Sequence, residues 1–458
     1  MRIIIVGAGA VGKQLARILY EENEVIVIDK REFVLEQLKN ELDIMTICGN
    51  GATCKSLTQA EVEKADMILA VTNVSESNIL ACKTAKEYGV KNTIARISSM
   101  DYFDEHKNID AKSFGVDRIV LPEQECANNI LDTLIRPGIK ETVKLSHADA
   151  QMANFQIRPG SPIGGTKIID LPDKELISRL RICAIVRYGQ VIIPRGDTSF
   201  LAYDEIYLAG SQLDIDSFIA HARPKAEIVE KVIIAGANRL SITIAKRLKL
   251  LDMRLVVVEE ERHMAENAAD TLGKRTIVLN GSSTDASILE ETGIDACDVF
   301  IAAHKDNEAN ILSCLLAKRM GAKRVLAITN KSDYISIIAG MNMIDCGFSP
   351  MVAAVNVLVQ QIETKCRRTV AILQRMTAEV MELRVMEKSF VAGMTIMDID
   401  KEAHLPENMV FGIIIRGDDL VPATGLQRLQ VDDLVVVLTK HEFIPKIEKL
   451  FLPKGYKK

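Results

Sequence analysis

The sequence predicts an α/β protein in which two parallel-sheet domains are each followed by a small α+β module. Three observations carry this. Strand and helix patterns alternate over roughly the first 125 residues at the rhythm of βαβ units. The pattern begins again near the midpoint of the 458-residue chain. Between and after these halves, Pro and Gly break the sequence into short strand-length runs, as in RPGSPIGGTKIIDLP and RICAIVRYGQVIIPRGDTSF.

The opening stretch, MRIIIVGAGAVGKQLARILYEENEVIVIDK, sets the plan. Ile3 to Val6 form an apolar run without alternation, as expected of a strand buried on both faces. Gly7, Gly9 and Gly12 follow as GxGxxG, and Leu15, Ile18 and Leu19 then recur at helical spacing. Gly7 permits a sharp turn, Gly9 lets backbone approach a pyrophosphate, and Gly12 lets helix pack on strand. The helix N-terminus offers free N–H groups and partial positive charge to phosphate. Val25 to Ile28 make a second strand that ends in Asp29, placed to accept ribose hydroxyls and favouring NAD or an adenosine nucleotide over NADP. The expected cradle is therefore Gly7, Ala8, Gly9, Ala10, Val11 and Gly12, with Asp29 and Lys30 beyond the second strand. Together these features predict a Rossmann-like domain.

The chain continues with a helix over 33–40, a strand over 44–47 and the turn Gly49-Asn50-Gly51-Ala52. A strand over 67–71, a loop over 72–77, a helix over 78–88 and a strand over 93–97 come next. A sixth strand is expected over 116–121, then a helix opening at Pro122-Glu123 and ending before Pro137-Gly138. Ligands of such sheets lie outside the carboxyl ends of the strands. Asp29, Asn50, Thr72, Asn73 and Arg96 all fall there. Thr72 and Asn73 either hydrogen-bond a ligand or cap the helix near Asn78, and Arg96 either pairs a phosphate or sits at the surface; spacing leaves both pairs of readings open.

A β-rich module follows, and His221 to Lys225 reads as a linker. Then Lys231 to Gly236 repeats Arg2 to Gly7, and Leu255 to Glu259 repeats the second strand with its acid. Asn280-Gly281-Ser282 resembles the turn after the third strand, Asp298 to Ala303 matches Asp66 to Val71, and Asn310 to Leu312 matches Asn78 to Leu80. In the small module, Ser389 to Asp398 echoes Ser161 to Asp170, and Gly412 to Arg416 with Pro422 echoes Ala184 to Arg187 with Pro194. The expected domains are 1–125, 141–223, 230–352 and 372–458, a tandem duplication. The copies diverge at the second loop, where Asn238 and Ser241 replace two glycines beyond Gly236. That site is expected to be weakened, altered or empty, with Glu259 still able to take a ribose.

Composition narrows the function. With 57 Lys plus Arg against 62 Asp plus Glu, the formal charge is −5, which offers no basic field for nucleic acid. No signal pattern opens the chain and no apolar run approaches the ~20 residues of a membrane span, so a cytosolic chain is expected. The nine cysteines show no CxxC pair and are expected to be reduced, buried thiols. His147, His221 and His304 are scattered and are expected to be solvated or packed. No Ser-His-Asp, Cys-His or metal-ligand spacing stands out. A cofactor grip thus comes without evident chemistry, and an enzyme is not expected. The rival readings are an NAD-linked oxidoreductase with its active site between Rossmann domain and small module, and a nucleotide-sensing regulator of a different cation transporter.

This arrangement resembles the TrkA family, the peripheral regulatory subunits of Trk potassium uptake systems, built from regulator-of-potassium-conductance (RCK) domains, in which a KTN Rossmann domain precedes an RCK-C module. The resemblance rests on IIIVGAGAVGKQLA, Ile28-Asp29, GNGA followed by Leu57, ADMILAVTNVSESNI, Ala95-Arg96, and the later IVRYGQVIIP and IIIRGDDLVP. It implies binding of NAD or NADH, with ATP or ADP as further ligands, in the first Rossmann domain. Carried over by resemblance, the phosphate loop is Gly7 to Gly12, the ribose acid Asp29, and the adenine-side turn Asn50, Gly51 and Ala52. Thr72 and Asn73 then lie over the ligand and Arg96 near its phosphates. The family usually has Asp where Asn50 stands. Gly236, Asn238 and Glu259 are the corresponding residues of the second domain. The resemblance further implies a homo-oligomer (dimer or tetramer, ring-like) on the cytoplasmic face of the membrane, gating a separate membrane-embedded potassium translocator. Nucleotide would act by shifting a conformational population, through the helices after Pro122 and around 355–363.

Overall fold

The computed structural model describes residues 1–458 except 105, 106, 108, 137, 148, 224–228, 332, 333, 335, 336, 339–342, 363–365, 374–377, 407, 408, 454 and 456–458. The first sheet is built from β1 (Arg2–Val6), β2 (Glu24–Asp29), β3 (Met45–Cys48), β4 (Met67–Ala70), β5 (Asn92–Arg96) and β6 (Arg118–Val120). Its order, β3-β2-β1-β4-β5-β6, is the doubly wound order, and every pairing is parallel. The strand order reverses between β1 and β4, which opens a crevice beyond their carboxyl ends. Helices α1 (Ala10–Leu19), α2 (Glu32–Glu41), α3 (Cys54–Gln59), α4 (Ser75–Glu87) and α5 (Pro122–Ile135) connect or follow the strands. Ile3, Ile4, Ile5, Ile26, Val27 and Ile28 are fully buried, as the unalternating apolar runs require for a sheet covered on both faces.

The first small module is an antiparallel sheet of β7 (Ile139–Lys144), β8 (Ala150–Gln156), β9 (Arg181–Arg187), β10 (Gln190–Ile192) and β11 (Glu205–Ser211), in the order β10-β9-β11-β8-β7. Helices α6 (Lys174–Arg179) and α7 (Gln212–Ala222) accompany it. The second parallel sheet comprises β12 (Lys231–Ala235), β13 (Arg254–Glu259), β14 (Thr276–Asn280), β15 (Val299–Ala302), β16 (Arg324–Ile328) and β17 (Cys346–Phe348), with α8 (Arg239–Leu250), α9 (Arg262–Leu272), α10 (Ala286–Glu291) and α11 (Asn307–Arg319). Its order, β14-β13-β12-β15-β16-β17, copies the first sheet. The second small module, β18 (Arg367–Leu373), β19 (Ala378–Arg384), β20 (Val410–Arg416), β21 (Asp419–Pro422) and β22 (Leu434–Thr439), repeats the first module's order. Val143, Met152, Cys183 and Tyr207 of the first module share one hydrophobic core with Val370, Val380, Ile413 and Val436 of the second.

Contacts divide the chain into two compact units: residues 1–126 with 350–358, and residues 127–349 with 359–458. Helix α5 therefore begins in the first unit and ends in the second. In the second unit Arg324 donates to the Thr133 carbonyl of α5 at 3.4 Å, and Arg247 donates to Asn128. The helix Pro350–Val359 belongs, up to Leu358, to the first unit.

The small modules repeat one buried ion pair. Arg187, at the end of β9, holds Asp204 in a two-armed contact at 2.8 and 2.7 Å, and Arg416, at the end of β20, holds Asp433 at 2.8 and 2.8 Å. Asp204 also accepts the Leu201 N–H, and Asp433 the Gln430 N–H. Both carboxylates are almost wholly buried. The recurring apolar–Arg–polar–Pro pattern is thus a structural clamp.

Several boundaries differ from the sequence reading. Helix α4 begins at Ser75, so Ser75 to Ser77 are helical rather than loop; Ser75 is buried and its hydroxyl bonds Ser98 at 3.2 Å. Helix α3 was not expected: only six residues long, it has too few turns to show a period, and Thr53 caps it by accepting the Ser56 N–H. His221 and Ala222 end α7 instead of starting a linker, while Pro224 and Lys225 lie outside the described residues. Strand β18 starts at Arg367, whose side chain is buried beside Glu448 at 3.7 Å. The helix expected around 355–363 spans Pro350–Val359, and residue 363 lies outside the described residues. No disulfide joins any of the nine cysteines, but Cys48 and Cys54 are exposed rather than buried, since both flank the turn after β3.

Removing one partner of such a buried pair costs about 3 kcal/mol. Asp204→Ala should therefore lower the urea denaturation midpoint clearly, and Asp433→Ala should do the same in the second module. An unchanged midpoint would show that the clamp is dispensable.

Candidate functional site

The crevice of the first sheet is shaped by three glycines doing different work. Gly7 has φ +105°, and a Cβ there would stand 2.9 Å from the Thr72 methyl and 3.0 Å from the Thr72 nitrogen. A Cβ on Gly12 would stand 1.8 Å from the Gly7 carbonyl oxygen. Gly9 differs from both: a Cβ there meets nothing within 4 Å. It is the N-cap of α1 and supplies no side-chain cap, so the first-turn N–H groups face open space. Val11 is buried beneath the loop, and Ala10 is exposed.

Asp29, at the end of β2, ties the loop to the neighbouring strand. One carboxylate oxygen accepts the Ala8 N–H at 2.6 Å and the other the Arg31 N–H at 2.9 Å. The Arg31 guanidinium adds contacts at 3.0 and 3.1 Å. Burial by itself would raise the Asp29 carboxyl, but the Arg31 side chain, the two N–H donors and the Arg31 charge outweigh it and hold the group below its ordinary value. Lys30 is exposed beside it. Arg31 escaped the sequence reading; a cation two residues past the strand-end acid was the available signal.

The turn after β3 closes another side. The Asn50 side chain accepts the Ala52 N–H at 3.2 Å, and its carbonyl accepts the Thr53 N–H and hydroxyl at 3.0 and 2.8 Å. A Cβ on Gly51 would stand 2.3 Å from Val6, so glycine is what lets this turn pass over the end of β1. After β4, the Asn78 side chain is fully buried; it accepts from Thr72 N–H and hydroxyl at 3.0 and 2.7 Å and donates to the Thr72 and Arg96 carbonyls at 3.0 and 2.7 Å. The Thr72 hydroxyl accepts the Val74 N–H at 3.2 Å, whereas the N-cap of α4 is Val74, with no side-chain cap. Thr72 thus shapes the loop before α4 and does not cap the helix. Asn73 is exposed beside it.

Arg96 ends β5 half-buried. Among the described residues its guanidinium makes no hydrogen bond or ion pair. Burial lowers its affinity for the proton, and the charge of Glu123 in the first turn of α5 partly offsets this. A buried cation without a direct partner at the carboxyl end of a parallel sheet is suited to an anion.

The second crevice keeps the frame and changes the chemistry. Glu259 accepts the Ala237 N–H at 2.6 Å and the Glu261 N–H at 2.9 Å, as Asp29 does for Ala8 and Arg31. Asn310 donates to the His304 and Ile328 carbonyls at 3.0 and 2.8 Å, copying Asn78. Gly236 keeps φ +102°. Asn238, however, caps α8: its side-chain oxygen accepts the Ser241 N–H at 3.1 Å and its amide donates to the Ala303 carbonyl. One of the first-turn N–H groups, that of Ser241, is thus taken by the loop itself. Glu260 and Glu261 occupy the places of Lys30 and Arg31, and Ile328 that of Arg96.

The comparisons with known proteins agree with this duplicated frame. The TrkA-N domain family matches residues 3–122 and 232–346, and the TrkA-C domain family residues 152–222. The Trk system potassium uptake protein TrkA of Halomonas elongata is 32% identical, with 98% of each chain covered. Its counterpart in Vibrio alginolyticus is 30% identical over 100% of both chains. Among solved structures, the crystal structure of the GsuK RCK domain shares the fold, with a TM-score of 0.59 at 17% identity, covering 98% of this chain and 94% of that one. The GsuK channel bound to NAD is similar to the same extent, TM-score 0.59 and 17% identity, covering 98% of this chain and 78% of that one.

Two Rossmann-like sheets, each paired with a small antiparallel module, give the chain a tandem form of the fold seen in the RCK domain of GsuK. Within that class, the chain belongs to the TrkA family of Trk system potassium uptake proteins. No helix among the described residues is long and apolar enough to cross a membrane.

The glycines give a directional test. Gly12→Ala should destabilise the chain by about 2 kcal/mol or more through overpacking, whereas Gly9→Ala should leave the denaturation midpoint within about 0.5 kcal/mol of the parent. Equal effects at the two positions would contradict this geometry. Asp29 titrates lower in the folded chain than its ordinary 3.8, so its contribution to stability is complete above that value and is lost only as the pH falls through the lower folded value. Stability differences between the parent and Asp29→Asn should therefore be flat between about pH 5 and 8 and shrink in stronger acid. A step near neutrality, followed by chemical denaturation across pH, would contradict the assignment.

Proposed function

We propose that this chain is a regulatory subunit of a Trk potassium uptake system, binding NAD or NADH, or ATP or ADP, in its first Rossmann domain and gating a separate membrane-embedded potassium translocator. The observation that carries this reading is the first crevice. There an uncapped helix N-terminus and a strand-end carboxylate flank open space at Gly9, and a half-buried arginine ends β5 of the same sheet. Gly7 to Gly12 would cradle phosphate, Asp29 would take the ribose, and Asn50, Gly51 and Ala52 would flank the base. Thr72 and Asn73 would form the covering loop, and Arg96 would neutralise phosphate. The groups named over this site bind and neutralise charge; none is an acid or base poised for hydride chemistry, which favours a sensor over an oxidoreductase.

Regulation follows from electrostatics. Arg96 interacts with Glu123 in the first turn of α5. A bound phosphate would compete with Glu123 for that cation and so bias the position of α5, a helix common to both compact units. Ligands differing in phosphate number or charge would bind the two arrangements unequally, which is what a population shift requires. A homo-oligomer at the inner face of the membrane, as a dimer or a ring-like tetramer, would bring such sensors to one translocator.

Calorimetric titration of the full chain with NAD, NADH, ATP and ADP tests the proposal. At least one should bind, Gly9→Asp should abolish binding, and Arg96→Gln should weaken it by about tenfold or more, a loss of roughly 1.4 kcal/mol. NADH should not be consumed. Absence of binding, or binding untouched by Gly9→Asp, would overturn the reading.

A further inference from the structure

A cavity of about 300 Å³ lies at the carboxyl ends of β12, β13 and β15 in the second Rossmann domain. Such a volume sits at the lower end of the range for small-molecule sites, roughly 300–1,000 Å³, and is too small to enclose a dinucleotide. Its polar lining is strongly one-sided. Glu259, Glu260, Glu261 and Asp306 contribute four carboxylates against the single ammonium of Lys305. His304 adds no charge at neutral pH, because burial pushes its imidazole below the ordinary value despite the nearby Glu259, Glu260 and Asp306.

The same positions of the first domain carry the opposite balance. Lys30 and Arg31 follow the Asp29 carboxylate there, and Arg96 ends β5, its charge offset in part by Glu123. The registers that equate them are fixed by structure: Gly49 N–H bonds the Asp29 carbonyl as Gly281 N–H bonds that of Glu259, and Asn78 holds Arg96 as Asn310 holds Ile328. The second site has lost the counterparts of Lys30, Arg31 and Arg96, has gained three carboxylates, Glu260, Glu261 and Asp306, against the one ammonium of Lys305, and has capped its helix N-terminus with Asn238. A phosphate entering it would meet mostly like charge, at a helix end where the Ser241 N–H is already held by Asn238.

The parts that recognise a ribose are retained. Glu259 uses one lone pair on each oxygen for backbone N–H groups, and among the described residues no guanidinium bonds it as Arg31 bonds Asp29. Both oxygens therefore remain able to accept from vicinal hydroxyls. On the base side, Ser282, Ser283 and Thr284 replace Asn50, Gly51 and Ala52. Ser283 is buried, its hydroxyl held by His304 Nε2 at 2.6 Å and by Ser313 at 2.8 Å, which fixes the wall of the cavity. Met264 supplies an adaptable apolar surface suited to a flat ring.

We propose that the second Rossmann domain is a nucleoside site: it takes an uncharged purine ribonucleoside through Glu259 and rejects the phosphorylated forms. The duplication has then produced two sensors of different charge class on one chain. This inference does not rest on nucleotide binding by the first domain.

The test is calorimetric titration of the full-length Gly9→Asp chain, which disables the first loop, with adenosine, AMP, ADP and spermidine. Adenosine should bind once per chain, and affinity should fall by about tenfold with each added phosphate. Met264→Trp, which fills the cavity, and Glu259→Gln, which removes a charged acceptor, should each weaken adenosine by about tenfold or more, in protein whose circular dichroism matches the parent. Replacing Glu260 by Lys and Glu261 by Arg together should bring AMP to within a few-fold of adenosine. No adenosine binding to a folded Gly9→Asp chain, ADP binding as tight as adenosine, adenosine binding unaffected by both cavity variants, or spermidine binding in place of adenosine would each overturn the proposal. Because Gly9→Asp is the background, failure here leaves the first-site reading untouched, and failure of that reading leaves this one standing.

Discussion

The contact on which the functional architecture depends is the bond from the loop after the first strand to the carboxylate ending the second. Ala8 N–H to Asp29, and Ala237 N–H to Glu259, span 2.6 Å in both domains. Each carboxylate also accepts an N–H two residues beyond itself, so it fixes two backbone segments at once. This bond decides where the glycine turn lies, and hence where the following helix presents its N-terminus. A longer side chain, Glu for Asp, makes the same bond in the second copy, so it is the acceptor at that place that the fold demands.

Around this shared frame, duplication has separated what is structural from what is chemical. The buried Asn78 and Asn310, the positive-φ Gly7 and Gly236, and the Arg187–Asp204 and Arg416–Asp433 clamps recur with nearly equal geometry. They satisfy buried polar groups or relieve steric conflict, and any loss is costly. Lys30, Arg31 and Arg96 do not recur. They contribute to charge at a crevice mouth, which the fold tolerates in either sign. Two copies of one scaffold can thereby hold binding sites of opposite electrostatic character.

Much of this was legible in the sequence, for identifiable reasons. Fully buried parallel strands must be apolar without alternation, and Ile3 to Ile5 or Val256 to Val258 show it directly. The glycine loop was readable because only glycine fits at Gly7 and Gly12. Less visible were features whose cause lies elsewhere in the chain. Helix α3 is too short to carry a period, and strand β18 begins with two arginines whose burial depends on Glu448 and Glu382. Thr72 offered two readings by spacing; its hydroxyl turned out to be committed to Asn78 and Val74 within the loop.

By itself the sequence determined the class of fold, its duplication and the place of the glycine loop. Periodicity and glycine spacing are local, and local patterns suffice to specify strands, helices and turns. Tertiary structure decided what each polar residue is committed to. Arg31 lies across Asp29, Arg187 is consumed by a buried clamp, and Asn238 caps the helix that follows it. Whether an arginine or an asparagine is available to a ligand depends on distance to groups remote in sequence. That distance exists only once the chain has folded.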